Sequence, residues 1–587
     1  MTRTTWRVSF GANLINKNRT QFRIWAPTQR AVSLAIDGAA ALPMSRTTDG
    51  WFELEANCGA GTRYRYILQD GTAVPDPASR AQDGDTGGRS VVVDPSTYRW
   101  RNPDWRGRPW HETILYELHT GVYGGFAGVA RELPRLAALG VNAIELMPIA
   151  EFPGARNWGY DGALPFTPES SYGSPDDLRS LVDAAHGHGL MIFLDVVYNH
   201  FGPDGNYLPL YAPEFFRHDV STPWGPAIDF RRKEVRRFFT ENALYWLLEY
   251  RFDGLRLDAV HAITEADWLS EMAAEVRNTV EPGRHVHLVL ENDDNTASYL
   301  ERDFVAQWND DAHHVLHVLL TGEREGYYED YKDNPAELLA RALKSGFVYQ
   351  GEPSLHRGGK SRGTPSATLP PTAFVMFLQN HDQIGNRAFG ERLTVLANPA
   401  ALDAAIALQL LCPQIPLLFM GEEQASVAPF LFFTDHNAEL AEAVRMGRRR
   451  EFAGFSKFSD PKLLADLPDP NDAITFNRSM PIAAPGKAAS REAYYRRLLE
   501  VRRQEIVPRL QGACAVSARA VGPAAAVAHW RMGDNSLLAI GVNLGSDAAQ
   551  MAVHQGRLLF ATSPAAEHAA NSGVLEPFST IAVLGQA

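Results

Sequence analysis

Acids stand at the ends of three apolar runs of strand length: Asp258 in GLRLDAVH (Gly254–His261), Glu291 in LVLEN, and Asp382, preceded by His381, in FLQNHD. A fourth run ends DVVYNH (Asp195–His200). If these runs are neighbours in one parallel sheet, their carboxyl ends share a rim and the three acids converge. Cleaving an acetal between two sugars needs a proton for the leaving oxygen and a negative group facing the oxocarbenium-like carbon, which two carboxyl groups in unlike surroundings supply. A nucleophile and an acid/base about 5–5.5 Å apart retain the anomeric configuration, whereas a gap of about 6.5–9.5 Å admits water and inverts it. Arg256, two residues before Asp258, is expected on the same side of its strand, where a permanent cation favours the charged carboxylate suited to attack. Glu291, facing two anions, is expected to hold its proton as a general acid must. The alternative is a structural Arg256–Asp258 ion pair, since such networks also perturb titration; three acids at three strand ends favour chemistry.

The elements that must position these residues follow from periodicity. Strand-length runs at Ile114–Leu118, Ala143–Met147, Met191–Val197, Gly254–Leu257, Val286–Glu291, Phe304–Trp308, Ala373–Gln379 and Pro416–Met420 alternate with amphipathic stretches such as Gly128–Leu139, Asp176–His188 and Lys233–Tyr250. This pattern predicts an α/β protein built on a (β/α)8 TIM barrel, larger than the usual ~250 residues because its βα loops are long. Before it, short alternating strands (Thr20–Trp25, Ala31–Ile36, Trp51–Glu55, Tyr64–Gln69) predict an N-terminal β-sandwich over residues 1–95, joined by a Pro- and Trp-rich linker at 96–110. The barrel is expected over 111–508, ending with a helix at Arg491–Arg503. A small antiparallel β-domain is expected over 509–587, with strands at Ala515–Ala518, Ala525–Met532, Ser536–Val542 and Ile581–Leu584.

Composition narrows the partners. With 56 Lys+Arg against 69 Asp+Glu the formal charge is -13, the wrong sign for gripping phosphate backbones, so no nucleic acid is expected. No run reaches the ~18–20 apolar residues of a membrane span, and the opening MTRTTWRVSFGANL lacks a leader's charged and apolar segments. Three scattered cysteines, Cys58, Cys412 and Cys514, offer neither a zinc pair nor a disulfide framework. A cytoplasmic, reduced protein is expected.

DVVYNH, GLRLDAVH, the Glu291 strand and QNHDQIGN resemble, in order and spacing, the four signature segments of the α-amylase superfamily of glycoside hydrolases. The resemblance implies Asp258 as nucleophile, Glu291 as general acid/base, Asp382 as the third acid, and a retaining mechanism through a glucosyl intermediate on Asp258. It also implies that Arg256, His200 and His381 surround the cleaved sugar and that Tyr160 of NWGYDG platforms its ring, with Gln383 and Asn386 of QNHDQIGN expected to bind substrate. Longer segments, notably DVVYNHFGPDGNYL, WNDDAHHVLHVLLTGEREGYYEDY and QNHDQIGNRAFGERL, are similar to those of the malto-oligosyltrehalose trehalohydrolase family. That similarity implies a malto-oligosyltrehalose substrate, a trehalose product, and Asn309, Asp310, Asp311, His313 and His314 at the trehalose-end subsites. It also implies a companion synthase with no predicted stable contact. The alternatives are an α-1,6 debranching or a branching enzyme and, from another class, an inactive glucan-binding accessory protein.

His261 stands where many superfamily members carry Lys, so the leaving-side sugar contact is expected to differ. No cofactor or metal is expected: Asn199 lacks a set of further oxygen ligands for calcium, and the helical spacing of His313 and His317 more often marks helical neighbours than zinc ligands. A structural role is the favoured reading of Glu422 and Glu423, while Trp158 and Trp224 are candidates for stacking on glucose.

Overall fold

The computed structural model describes residues 8–455, 457, 460–552, 555–568 and 572–586; the first seven residues, on which the leader reading partly rests, lie outside these, as does Ala587. At its centre eight parallel strands close into a barrel: β1 (Leu115–Leu118), β2 (Ala143–Leu146), β3 (Met191–Val196), β4 (Gly254–Leu257), β5 (His287–Leu290), β6 (Ala306–Trp308), β7 (Phe374–Met376) and β8 (Ile415–Phe419). Seven of them lie within two residues of the runs the sequence marks out, and β7 ends at Met376, three residues short of the expected Gln379. Their side chains are buried on both faces, between an interior and a coat of helices, so they read as mainly apolar runs, broken by single buried charges at Glu117, Glu145, Asp195 and Arg256, rather than as an alternation. Leu115, Ala143, Phe193, Val289, Trp308, Phe377 and Leu417 fill the interior. Gly254 is required there, because a Cβ would meet the Phe193 ring at 2.1 Å.

Helices α1 (Gly125–Leu139), α2 (Pro175–Gly187), α3 (Lys233–Leu248) and α4 (Ala266–Thr279) follow β1 to β4, β5 is followed only by a short 3-10 turn at Ala297–Tyr299, and α5 (Asp310–Thr321) and α6 (Pro399–Leu411) follow β6 and β7. Local chemistry sets their limits. Ser174 and Asp177 form a capping box at the start of α2, with Pro175 in its first turn, and Gly140 at φ 111° closes α1. Helix α7 (Ala438–Phe452) lies in the excursion after β8, and α8 (Ala488–Val501) completes the coat.

The N-terminal strands form two sheets, ordered Gly11–Asn16, Arg19–Trp25, Trp51–Ala56, Ser45–Arg46 and Leu42–Pro43, Ser33–Ile36, Arg63–Ile67, Arg89–Val91, Gln82–Asp83. A T-shaped Phe22–Tyr64 contact joins the sheets, and Phe10 packs edge-on against Phe238 of α3. Residues 96–110 do more than link. Trp105 Nε1 donates to Asp253 at 2.8 Å and Trp110 Nε1 to the Thr372 carbonyl at 2.8 Å, which straps this segment to the floor of the barrel. The C-terminal sheet runs Cys514–Gly522, Ala525–Arg531, Ser536–Asn543, Ser579–Gln586, Arg557–Ala561; the strands at Gly11–Asn16 and Arg557–Ala561 add to those expected. Among the described residues no helix is long and apolar enough to cross a membrane.

Candidate active site

Strand register brings the acids together. Leu257 of β4 pairs with Leu290 of β5, so Asp258 and Glu291 leave adjacent strands at the same level. The Glu291 N–H donates to the Leu257 carbonyl and that of Asp258 to Val196, each at 3.0 Å, which continues the ladder one residue past its ends. Asp382 arrives differently: Asn380 caps a short helix, His381–Gly385, by accepting from the Gln383 N–H, and Asp382 lies in its first turn. All three acids line one cavity of about 1100 Å³ at the carboxyl ends of the strands.

One guanidinium organises the floor. Arg256, with no exposed surface, donates from Nη1 to Asp258 Oδ1 at 2.8 Å and to both oxygens of Asp195 at 2.9 and 2.8 Å, while Nη2 stands 3.1 Å from Glu291 Oε2. Its cation lies 4.2 Å over the face of Trp308. Asn199 Nδ2 donates to the other oxygen of Asp258 at 2.8 Å, so both oxygens of that carboxylate are held. Ala259 adopts φ 39°, a left-handed conformation costly for a residue with a Cβ, and thereby aims its N–H at Glu291 Oε2, 2.6 Å away.

Glu291 and Asp382 have unlike electrostatics. Burial pushes Glu291 well above the usual carboxylate range; Arg256 opposes this, and the negative charges of Asp258, Asp382 and Asp310 reinforce it. Burial also works upward on Asp382, but the His381 cation, Arg256 and the Asn386 amide outweigh it and hold this acid below its ordinary value. His381 Nε2 is 3.4 Å from Asp382 and 2.8 Å from the Tyr160 hydroxyl, and its Nδ1 is bonded to Glu117 of β1. Although burial disfavours the imidazolium, Asp382 and Glu117 together raise His381 well above its usual value. Tyr160 in turn donates to Asp195 at 2.6 Å. Glu117, Asp195 and Trp308 were not among the residues singled out; each is a lone polar or aromatic residue inside an apolar run, and only barrel closure shows that it faces the acids.

Of the other candidates, Tyr160, His200, His261, Asp310, His314, Gln383 and Asn386 line the cavity, and Arg256 and His381 lie just behind it, gripping the acids. Trp158 and Trp224 line it too. Trp224, 44% exposed, stacks on His200 with ring centroids 4.9 Å apart. Asn309, Asp311 and His313 do not line the cavity. Asn309 caps α5 and donates to the Gly346 carbonyl, Asp311 accepts from the N–H groups of Val348 and Tyr349, and His313 Nδ1 faces the Leu378 carbonyl. Helical rotation explains the split: Asp310 and His314, four apart, share the cavity face, while Asp311 and His313 turn into the protein. His317 is committed to Glu323 at 2.8 Å and stacks on Tyr328; among the described residues no group of three or more His, Cys, Asp or Glu is arranged to hold a metal. Glu423 is buried against the Tyr116 hydroxyl and Arg135, and Glu422 also lies outside the cavity.

Residues beyond the sequence candidates form the rest of the wall. Phe432, Phe452 and Phe455 supply one apolar side, and Tyr327 and His356 another stretch. Among the described lining residues ten are Asp or Glu and five are Arg or Lys.

Comparison with known proteins agrees with this architecture. The profile of the alpha-amylase catalytic domain matches residues 79–209, and that of a domain of unknown function, DUF3459, matches residues 515–581. A malto-oligosyltrehalose trehalohydrolase of Deinococcus radiodurans is 43% identical over 504 residues, covering 83% of this chain and 82% of its own length. One from Saccharolobus solfataricus is 39% identical over 492 residues, covering 81% and 86%. A crystal structure of an alpha-amylase candidate from Salmonella typhimurium superposes with a TM-score of 0.93 at 42% identity, covering 99% of this chain and 100% of that one.

Proposed function

The chain belongs to the malto-oligosyltrehalose trehalohydrolase family of the α-amylase superfamily, and from that premise we propose how its cavity performs the reaction. The enzyme hydrolyses the α-1,4-glucosidic bond next to the terminal trehalose of a malto-oligosyltrehalose, releasing trehalose and a shortened glucan. Asp258 attacks the anomeric carbon as Glu291 passes a proton to the departing oxygen; Glu291 then takes a proton from water, which cleaves the glucosyl ester with net retention. With Ala259 N–H and Arg256 both on Oε2 of Glu291, Oε1 is the oxygen that carries the proton. Asp382, kept anionic beside His381, holds the hydroxyls of the distorting sugar. Tyr160 and Trp224 offer ring faces to glucose units, and Asp310, His314, Gln383 and Asn386 present polar groups that a trehalose end must satisfy.

The observation that carries this reading is the single guanidinium that is hydrogen-bonded to Asp258 and ion-paired with Glu291, so that the two carboxyl groups stand within its own span. That supports the short spacing of a retaining pair over the wider gap of an inverting one. The segment boundaries at 95, 110 and 508 belong to the same proposal, as does a cytoplasmic setting, supported by three unpaired cysteines. A companion synthase supplies the substrate by sequential action.

Product analysis tests the reading. Purified enzyme incubated with malto-oligosyltrehalose is expected to release trehalose, and with branched glucan to release no linear chains; the reverse pattern identifies a debranching enzyme. Asp258→Ala is expected to abolish turnover while calorimetry still detects glucan binding, and undiminished hydrolysis by that variant would remove the proposed nucleophile.

A further inference from the structure

Glu145 lies on β2, two residues beyond the interior Ala143, so it points into the barrel; it pairs in register with Glu117 of β1. It is 1% exposed, and neither carboxyl oxygen has a protein hydrogen-bond partner. Two more side chains beneath the cavity carry donors in that condition: Arg256, at Nε and at Nη2, the latter ion-paired with Glu291 without a hydrogen bond, and Trp308 at Nε1; the two are already in contact through the cation–π pair. An acceptor-bearing acid and two side chains with orphaned N–H donors, all in one barrel core, form the lining that an internal water requires, since such waters make about two to four bonds to otherwise unsatisfied groups.

We propose that the barrel core beneath the acids holds a buried water site bounded by Glu145, Arg256 Nε and Trp308 Nε1, and that Glu145, as a neutral carboxylic acid, is a positioning residue that fixes the Arg256 guanidinium through it. The charged groups around Glu145 are Glu117 on β1, Asp195 on β3, Arg256 on β4 and His381 after β7. Both cations are committed: His381 to Glu117 and Asp382, Arg256 to Asp195, Asp258 and Glu291. No cation remains for a third interior anion, and an unpaired buried charge neutralises instead. Burial, reinforced by Glu117 and Asp195, accordingly drives this carboxyl well above its ordinary range. The neutral acid can accept from Arg256 through water on one oxygen and donate with the other, so the guanidinium is anchored from below on the edge the catalytic acids leave unused.

The inference rests on the roles assigned to Asp258 and Glu291 only for its kinetic consequence; its structural arms do not depend on them. A high-resolution crystal structure of the full chain is expected to show ordered water between Glu145 and Arg256 Nε, and a dry core overturns the site. Infrared difference spectra of wild type against Glu145→Gln at neutral pH are expected to lose one protonated-carboxyl band; an unchanged envelope overturns the neutral acid. In trehalose-release assays Glu145→Leu is expected to lower kcat about tenfold, the order of one hydrogen bond to a charged group, with KM moving less. Glu145→Gln, which keeps polar atoms at the site, is expected to recover most of that loss. A Gln variant as impaired as the Leu variant, both folded, overturns the positioning role. If Glu145→Leu does not fold, Glu145→Met takes its place.

Discussion

Replacing Arg256 by lysine tests the organisation of the site while keeping its charge. In the wild type the two terminal nitrogens of the guanidinium reach Asp258, Asp195 and Glu291 from a fixed plane over Trp308. A lysine ammonium is a single point on a flexible stem and cannot hold Asp258 and Glu291 at the same fixed separation. Losing one hydrogen bond to a charged group costs about 1.5–3 kcal/mol. At about 1.4 kcal/mol per tenfold, that lowers kcat by roughly 10- to 150-fold if the contact matters most in the transition state. KM should move far less, because Arg256 is fully buried and lies behind the acids. Arg256 favours the ionised form of Glu291, so its complete removal in Arg256→Met should extend the acid form of Glu291 upward and shift the alkaline limb of kcat/KM to higher pH. Trehalose release is followed across pH, with thermal melts to confirm folding. A folded Arg256→Lys with wild-type kcat, or an Arg256→Met whose alkaline limb stays in place, would refute the claim that this residue sets the geometry and protonation of the acid pair.

Trp224→Ala removes an exposed ring stacked on His200; aromatic stacking of about 0.5–1.5 kcal/mol predicts a KM two- to tenfold higher, with a smaller fall in kcat, and an unchanged KM would exclude a sugar contact. Asp310 is pushed up to about 7, first by burial and then by Asp293. A raised carboxyl contributes stability that is fully present below its unfolded value and is lost as pH rises through the folded one. Asp310→Asn should therefore melt higher than wild type above pH ~7, with the gain fading towards pH ~4; calorimetry at both ends checks the sign. In Gly385→Ala the new Cβ would meet the Trp158 ring at 2.0 Å. Overpacking of this kind costs about 1–3 kcal/mol, and a melting temperature equal to wild type would show that Trp158 is not wedged against the helix that carries Asp382.

Much of the fold was legible because barrel strands covered on both sides cannot alternate. The runs from Leu115 to Phe419 are mostly apolar, and polar residues just past their carboxyl ends mark where the chemistry begins. Asp258, Glu291 and Asp382 stood out for that reason. Glu117 and Glu145 did not, since an acid in the middle of LYEL or AIEL gives no sign of its surroundings until the barrel closes around it. The stretch Asn309–His314, expected to bind as a unit, meets the cavity at only two of its positions. Consecutive residues at a helix start are distributed around its axis, so only Asp310 and His314 reached the cavity. The strap at 96–110 looked like a linker because Pro and Trp mark loops and packed floors alike, and only the bonds of Trp105 and Trp110 tell the two apart.

Acids outnumber Arg and Lys along the cavity wall even with Glu291 and Asp310 counted as protonated, which gives the mouth a negative field that selects ligands before any contact forms. Glucans esterified with phosphate meet repulsion at the rim, whereas a protonated iminosugar gains attraction that grows as it nears Asp258 and Asp382. The discrimination should weaken as added salt screens it, a dependence that neutral oligosaccharides would not share.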